Sequence, residues 1–182
     1  MKKENIPNIL TIIRFILIPF IYMSVLTEHF FTALIIFTIS ALTDILDGYI
    51  ARKYNYITDI GKLIDPLADK LTQISLLLSL TILKILPLCI FAIVFVKELV
   101  LVICASVLYS RKDVVVYSKW YGKLATTLFY LAIVCSLIMH HFNIQMAFRL
   151  DLYLYYLAIL ATFFALIMYS IKFKFKRTKV NS

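Results

Sequence analysis

Glycine, proline, cysteine and charged residues are all scarce in this chain of 182 residues. It contains three glycines, four prolines and three cysteines, and only 16% of its residues are charged. Collagen-like chains need far more glycine and proline, and disordered chains need more charged and fewer apolar residues, so the composition excludes both classes. The cysteines, Cys89, Cys104 and Cys135, lie in apolar runs without pairing or the spacing of metal ligands, which favours small buried apolar residues over a disulfide set.

Apolar residues are what the chain has in excess. They make up 63% of it, whereas soluble domains have about 45–50%. Since a spanning helix needs about 20 apolar residues, the hydropathy pattern predicts six spans at roughly 8–26, 30–51, 62–83, 86–109, 120–140 and 152–171. We therefore expect an all-α integral membrane bundle of six transmembrane helices that forms a single domain over residues 1–182.

The charges are distributed unevenly along this pattern. Lys and Arg number 19 against 10 Asp and Glu. Most of the cations fall at those ends of the predicted spans that lie on one side of the membrane. The positive-inside rule then predicts that both termini are cytosolic, with a basic tail at an anionic leaflet and no nucleic-acid partner. The cations on this side are Lys2, Lys3, Arg52, Lys53, Lys62, Arg111, Lys112, Lys119 and those of the tail.

Four aspartates interrupt the apolar pattern across the second and third predicted spans. Asp44 and Asp47 are three residues apart, and Asp65 and Asp69 are four apart, so each pair projects from one face of its helix. Carboxylates crowded near a membrane repel one another unless cations neutralise them. Hard oxygen ligands at this density suit Mg²⁺ or Mn²⁺, with two ions sharing the carboxylates. The alternatives are a solvated loop and the carboxylate ladder of a divalent-cation transporter.

Small residues accompany the aspartates. Gly48 and Ala51 share the helical face of Asp44, and Gly61 lies one turn before Asp65. The space beside them suits a nucleotide or a phosphate, and Arg52 can offer a planar pair of donors to phosphate oxygens. Close packing of two helices through small residues is the alternative interpretation.

These residues also form a family signature. Asp44-x2-Asp47-Gly48-x2-Ala51-Arg52-x8-Gly61-x3-Asp65-x3-Asp69 resembles, at all eight fixed positions and without a gap, the motif of the CDP-alcohol phosphotransferases. The opening NIPNILTIIRF, with Asn8, Thr11 and Arg14, is similar to the first-helix entry of bacterial members that make phosphatidylglycerophosphate.

The resemblance implies a reaction and a role for each motif residue. A CDP-linked lipid, CDP-diacylglycerol, would give its phosphatidyl group to glycerol 3-phosphate and release CMP. Four aspartates would bind the divalent pair, and one of them would also be the catalytic base for the acceptor hydroxyl: Asp44, Asp47, Asp65 and, in both roles, Asp69. Six residues would bind the nucleotide or the CDP-lipid: Asn8, Thr11, Gly48, Ala51, Arg52 and Gly61.

An anionic acceptor also requires cations. The candidates for binding its phosphate are Lys123, Arg111, Lys119, Lys97 and Arg14. A lysine or arginine within a span is costly unless it has a partner or a cavity. The alternative for Lys97 is an ion pair with Glu98, and the alternative for Arg14 is to extend to the membrane surface.

Other identities stay open beside this one. A cardiolipin synthase of the CDP-alcohol type would use phosphatidylglycerol as the acceptor, and a divalent-cation transporter is a more distant alternative. The resemblance further implies a homodimer in a bacterial cell membrane, with the active site facing the cytosol. Tyr153, Tyr155 and Tyr156 are predicted to form an interfacial aromatic belt at the start of the last span.

Overall fold

The computed structural model describes residues 6–54, 59–110, 120–144 and 149–178, with side chains at 9–50, 53–54, 64–100, 120, 122–144 and 149–168. The described residues form six α-helices and no strand, which confirms the all-α prediction. The helices are α1 (Ile6–Leu26), α2 (Phe30–Tyr54), α3 (Asp59–Ile82), α4 (Leu88–Ser110), α5 (Trp120–His141) and α6 (Leu150–Thr178). Helix α6 continues beyond the predicted span because its basic end contains no proline or glycine to stop it.

Four of these helices are long and apolar enough to cross a membrane. The spans are Ile9–Leu26, Phe30–Ile50, Gly122–His141 and Leu150–Met168. Each leaves at least two thirds of its residues outside the buried core, as expected for surfaces that face lipid. The chain is therefore a multi-pass membrane protein, while a total of six spans stays a prediction.

The chain divides into two compact units. The first contains Met1–Glu98 and Leu137–Gln145, and the second contains Leu99–Ser136 and Met146–Ser182. In the first unit α1 packs against both α2 and α3. The predicted single domain over residues 1–182 stays a prediction.

The first unit has an apolar core built from one stripe on each helix. The stripes consist of buried residues spaced three or four apart, the spacing that keeps side chains on one helical face. They comprise Ile21 and Val25 of α1, Phe30, Ala33 and Phe37 of α2, and Leu76, Leu77 and Leu80 of α3. Large apolar residues on the opposite faces, including Ile16, Phe20 and Ile39, are exposed. The same three helices thus bury one face and offer the other to lipid.

Each of these stripes becomes polar toward one end of its helix. Thr11 and Arg14 are buried in the first half of α1 and Asp47 in the second half of α2, while Asp65, which is partly exposed, lies in the first half of α3. Because α1 packs against both α2 and α3, and Arg14 of α1 pairs with Asp47 of α2 and with Asp65 of α3, these polar parts meet at one end of the unit. The fold therefore gathers the described charged residues of these three helices at one end of the unit, which we call the polar end.

The second unit contains its own buried polar group. Ser136 Oγ lies 3.5 Å from Asp151 Oδ2 and 3.4 Å from the Tyr155 hydroxyl. Tyr155 is fully buried, whereas Tyr153 and Tyr156 are exposed. The predicted interfacial belt is wrong for Tyr155. This residue lies two positions after Tyr153, and that spacing turns its side chain to another side of the helix, toward the buried core.

Three helices end without glycine where glycine is usual. Glu28, Lys84 and Asn143 have φ values of 60°, 59° and 49°, the left-handed conformation that closes many helix ends. In each case the next amide N–H bonds back five residues: His29 to Ser24, Ile85 to Leu80 and Ile144 to Met139. The scarcity of glycine therefore leaves Glu28 and Lys84 in a conformation that glycine adopts at lower cost, while Asn143 is a residue type that tolerates it.

Lys84→Gly should stabilise the protein, because glycine adopts positive φ without steric cost. We expect the free energy of unfolding to rise by about 0.5–1 kcal/mol, and Lys84→Val to lower it by about 1–2 kcal/mol. Thermal unfolding in one detergent, compared with the unchanged protein, measures both. A glycine variant less stable than the valine variant would contradict this account of the turn.

Candidate functional site

The polar end of the first unit gathers the four aspartates of the motif. Asp44 and Asp47 project from the last turns of α2, and Asp65 and Asp69 from the first half of α3. Both Asp65 and Asp69 lie within electrostatic range of Asp44. Residues from two helices thus form one cluster of negative charge, which we call the carboxylate cluster.

Arg14 of α1 lies at the centre of this cluster. Its Nη1 atom is 2.5 Å from Asp44 Oδ1, and its Nη2 atom is 2.6 Å from Asp47 Oδ2 and 3.5 Å from Asp65 Oδ1. The guanidinium is almost completely buried, so it depends on these carboxylates for its neutralisation. A role for Arg14 in binding the acceptor phosphate stays a prediction, while extension of this side chain to the surface is excluded by its burial.

Thr11 adds a second contact from α1. Its hydroxyl donates a hydrogen bond of 2.5 Å to Asp65 Oδ1. The cluster is open on one side, because Asp44 and Asp65 are 49% and 39% exposed whereas Asp47 is 3% exposed. A ligand can therefore reach Asp44 and Asp65 from outside.

The donor chemistry of the cluster fits a hard divalent cation. Its ligands would be carboxylate oxygens, the atoms that Mg²⁺ and Mn²⁺ prefer. The three carboxylates around Arg14 carry more negative charge than one guanidinium neutralises. Among the described side chains, however, no three acidic, histidine or cysteine groups already surround one point closely enough to hold an ion. Metal binding therefore stays a prediction that requires the carboxylates to rearrange around the ion.

The remaining residues predicted to bind the nucleotide are described in part. Gly48 directly follows Asp47 on α2 and is half-buried. The space left by its missing side chain therefore lies at the polar end of the unit. The side chains of Asn8, Ala51 and Arg52 and the surroundings of Gly61 lie outside the described residues. Their roles stay predictions.

A second group of charges lies between α3 and α4. Glu98 is buried, and its two carboxylate oxygens are 2.7 Å from Lys70 Nζ and 2.5 Å from Lys97 Nζ. The structure therefore contains the ion pair between Lys97 and Glu98 that was the alternative interpretation for this lysine. Two ammonium groups around one carboxylate leave an excess positive charge, so a role for Lys97 with an anionic acceptor stays a prediction.

The other predicted acceptor residues lie elsewhere in the chain. Lys123 is exposed on the first turn of α5, in the second unit. Arg111 and Lys119 lie outside the described residues. All three roles stay predictions.

Sequence reasoning missed one buried polar residue near the site. Gln73 lies on α3 one turn beyond Asp69 and is fully buried, and among the described residues neither its amide nitrogen nor its oxygen has a hydrogen-bond partner. Its position four residues after Asp69 was the available signal, since that spacing keeps both on one face. Thr11 was expected at the nucleotide, and its contact with Asp65 could not be read from spacing within one helix.

Comparison with known proteins finds relatives that carry one of two enzyme names. A CDP-diacylglycerol--glycerol-3-phosphate 3-phosphatidyltransferase of Aquifex aeolicus is 41% identical over 128 residues, 69% of this chain and 70% of the relative. The protein of the same name from Haemophilus influenzae is 47% identical over 79 residues, 41% of this chain and 42% of that relative. A cardiolipin synthase (CMP-forming) of Streptomyces coelicolor is 33% identical over 128 residues, 67% of this chain and 60% of that relative.

The family described as CDP-alcohol phosphatidyltransferase matches residues 4–171. That range contains α1 to α5, the carboxylate cluster and most of α6. It includes every residue of the motif and the arginine from α1 that contacts three of its aspartates. The chain belongs to the CDP-alcohol phosphatidyltransferase family.

Proposed function

We propose that this protein transfers the phosphatidyl group of CDP-diacylglycerol to glycerol 3-phosphate, giving phosphatidylglycerophosphate and CMP. The observation that carries the proposal is the position of the carboxylate cluster. It lies at the polar end of helices whose outer faces are apolar and exposed. Such a site suits a substrate with a charged pyrophosphate and two acyl chains. The names of the Aquifex and Haemophilus relatives support the same reaction.

The reaction exchanges one phosphorus–oxygen bond for another. The acceptor hydroxyl oxygen bonds to the phosphorus that carries diacylglycerol, and the bond from this phosphorus to the bridging oxygen breaks. CMP leaves with that oxygen, and the hydroxyl proton passes to a base. Asp69 is our proposed base, because a carboxylate within reach of the hydroxyl can accept its proton as the new bond forms.

The carboxylate cluster would hold the cations that this chemistry needs. Asp44, Asp47, Asp65 and Asp69 would bind one or two ions of Mg²⁺ or Mn²⁺. When bound, these ions supply positive charge beside the pyrophosphate oxygens. Gly48 would leave space for the nucleotide, and Arg52 would contact a phosphate as a planar donor.

The membrane arrangement is part of the proposal. We infer six spans with both termini in the cytosol, because the cations follow the positive-inside rule and the described motif residues share the polar end. CDP-diacylglycerol then meets the site from the cytosolic leaflet of the cell membrane. The bacterial origin of the relatives above favours a bacterial source. A homodimer rests on the family resemblance alone.

Cardiolipin synthesis is the second candidate. The observation that favours it is the relative from Streptomyces coelicolor, named a CMP-forming cardiolipin synthase and matched over 67% of this chain. It would use the same CDP-diacylglycerol and replace glycerol 3-phosphate with phosphatidylglycerol. The donor site is therefore common to both candidates, and only the acceptor separates them.

Purified protein with CDP-diacylglycerol and Mg²⁺ or Mn²⁺ should release CMP when glycerol 3-phosphate is added. Phosphatidylglycerol should give no release above the level without an acceptor. Chromatography of CMP and of the lipid product measures both reactions. Release with phosphatidylglycerol alone would assign cardiolipin synthesis instead. Metal flux into proteoliposomes without CMP release would favour a transporter.

Asp69→Asn should lower the rate of CMP release by about 100-fold or more, because the amide cannot accept the proton of the acceptor hydroxyl. Glu28→Gln is the matched control, since it removes a carboxylate from the exposed turn after α1. Thermal unfolding of both variants checks that the fold is retained. A folded Asp69→Asn variant with full activity would remove Asp69 from the reaction.

Lys123→Ala should raise the KM for glycerol 3-phosphate about 10- to 100-fold, the range expected when a hydrogen bond to a charged group is lost. The KM for CDP-diacylglycerol should not change. Lys84→Asn serves as the control, because it removes one cation from the turn after α3 while asparagine tolerates positive φ. An unchanged acceptor KM in the Lys123 variant would exclude the contact.

A further inference from the structure

Arg14 is the one described cation with ion pairs to three motif aspartates. Its Nη1 and Nη2 atoms lie 2.5 Å from Asp44 and 2.6 Å from Asp47, and Nη2 lies 3.5 Å from Asp65. The side chain is 2% exposed. A guanidinium stays protonated in proteins and has no acceptor atom. Its positive charge is therefore a permanent component of the cluster.

The charges around Arg14 do not balance. Three carboxylates surround a single guanidinium, so two negative charges remain, and Asp69 lies within electrostatic range of Asp44 as well. A divalent cation would supply the missing charge. Arg14 and such a cation would then neutralise the same carboxylates.

The positions of the aspartates depend on other groups besides Arg14. Asp65 accepts a hydrogen bond from Thr11, and Asp44 and Asp47 are presented by the continuous helix α2. The geometry of the three carboxylates thus has support from elsewhere. Besides its hydrogen bond to Asp47, Arg14 adds a positive charge that Thr11 and the backbone of α2 do not supply.

We propose that Arg14 is an internal counter-ion of the carboxylate cluster whose charge opposes divalent-cation binding and so sets the affinity of the metal site. This inference rests on the metal site of the proposed function. It assigns Arg14 a role through its charge beside the aspartates instead of through contact with the acceptor. The ligand concerned is a divalent cation, for which Mn²⁺ is the probe.

The physical reason is repulsion between two cations beside shared ligands. Each carboxylate has a second oxygen, so Arg14 does not occupy every binding position. A divalent ion bound to those oxygens would nevertheless lie a few ångströms from the guanidinium, at a distance where like charges repel strongly. Loss of the guanidinium should therefore strengthen Mn²⁺ binding by about tenfold or more.

A purely orienting role for Arg14 predicts the opposite result. Residues that orient metal ligands typically cost about 10- to 100-fold in metal affinity when they are removed. The sign of the change in Mn²⁺ affinity therefore separates a counter-ion from an orienting residue.

The test is a titration of the purified full-length protein with Mn²⁺, in which electron paramagnetic resonance reports the free ion. Arg14→Met and Arg14→Gln remove the charge, and Arg14→Lys retains it. We expect an approximately tenfold lower Kd in both neutral variants and a Kd near that of the unchanged protein in Arg14→Lys. Arg149→Met is the matched control, because Arg149 also contacts an aspartate, Asp151 at 3.4 Å, and lies outside the cluster.

Thermal unfolding gives a second readout. With a chelator present, the neutral variants should unfold at a lower temperature than the unchanged protein, because the carboxylates repel without Arg14. Saturating Mn²⁺ should narrow that difference, since the ion replaces the lost charge.

The possible failures are distinct. An equal or higher Kd in the neutral variants would overturn the counter-ion role and leave the metal site intact. Neutral variants that stay unfolded both with and without Mn²⁺ would also overturn it, because Arg14 would then be needed independently of the ion. Absence of saturable Mn²⁺ binding in the unchanged protein would instead remove the metal site itself, and the inference with it.

Discussion

The ion pairs between Arg14 and three aspartates tie together the helices that form the polar end of the first unit. A guanidinium at 2% exposure, surrounded by carboxylates within 3.5 Å, costs much less than the same charge alone in an apolar environment. The pairs connect α1 to α2 and to α3. Since α1 also packs against both helices along their apolar stripes, charge neutralisation and apolar burial support the same arrangement.

The lipid environment explains why the polar groups lie on the buried face of each helix. A polar side chain facing lipid would lack partners, so these helices place their polar residues on the buried face. Thr11, Arg14 and Asp47 are buried on that face, while Ile16 and Phe20 on the other side of α1 are exposed. The resulting site combines a charged end with apolar surroundings, which is the combination that a charged lipid substrate requires.

Buried polar residues elsewhere follow the same rule of mutual neutralisation. Glu98 contacts two lysine ammonium groups within 2.7 Å, and Asp151 lies beside Ser136 and Arg149. Gln73 differs, because its buried amide has no hydrogen-bond partner within the part of the chain that the structure describes. A buried amide without a partner costs about 1–3 kcal/mol. Arg14 Nε and Asp151 Oδ1 are also buried without a hydrogen-bond partner among the described residues, although both side chains have ion pairs.

The sequence by itself determined the helical class, the approximate helix bounds and the residues of the cluster. Spacings of three and four residues place Asp44 with Asp47 and Asp65 with Asp69, because those intervals return to one face of a helix. The family motif then joined the two pairs into one expected site. These features are local or depend on a known pattern, so they could be read without coordinates.

Only the tertiary structure decided which side chains from different helices meet. The contact of Arg14 with Asp47 spans 33 residues, and that of Thr11 with Asp65 spans 54. Helical spacing relates neighbours within one helix but carries no information about which face of another helix lies opposite. For the same reason Tyr155, expected at the membrane interface, lies buried beside Ser136. The partners of a buried charge depend on packing between helices, and packing is a property of the folded chain.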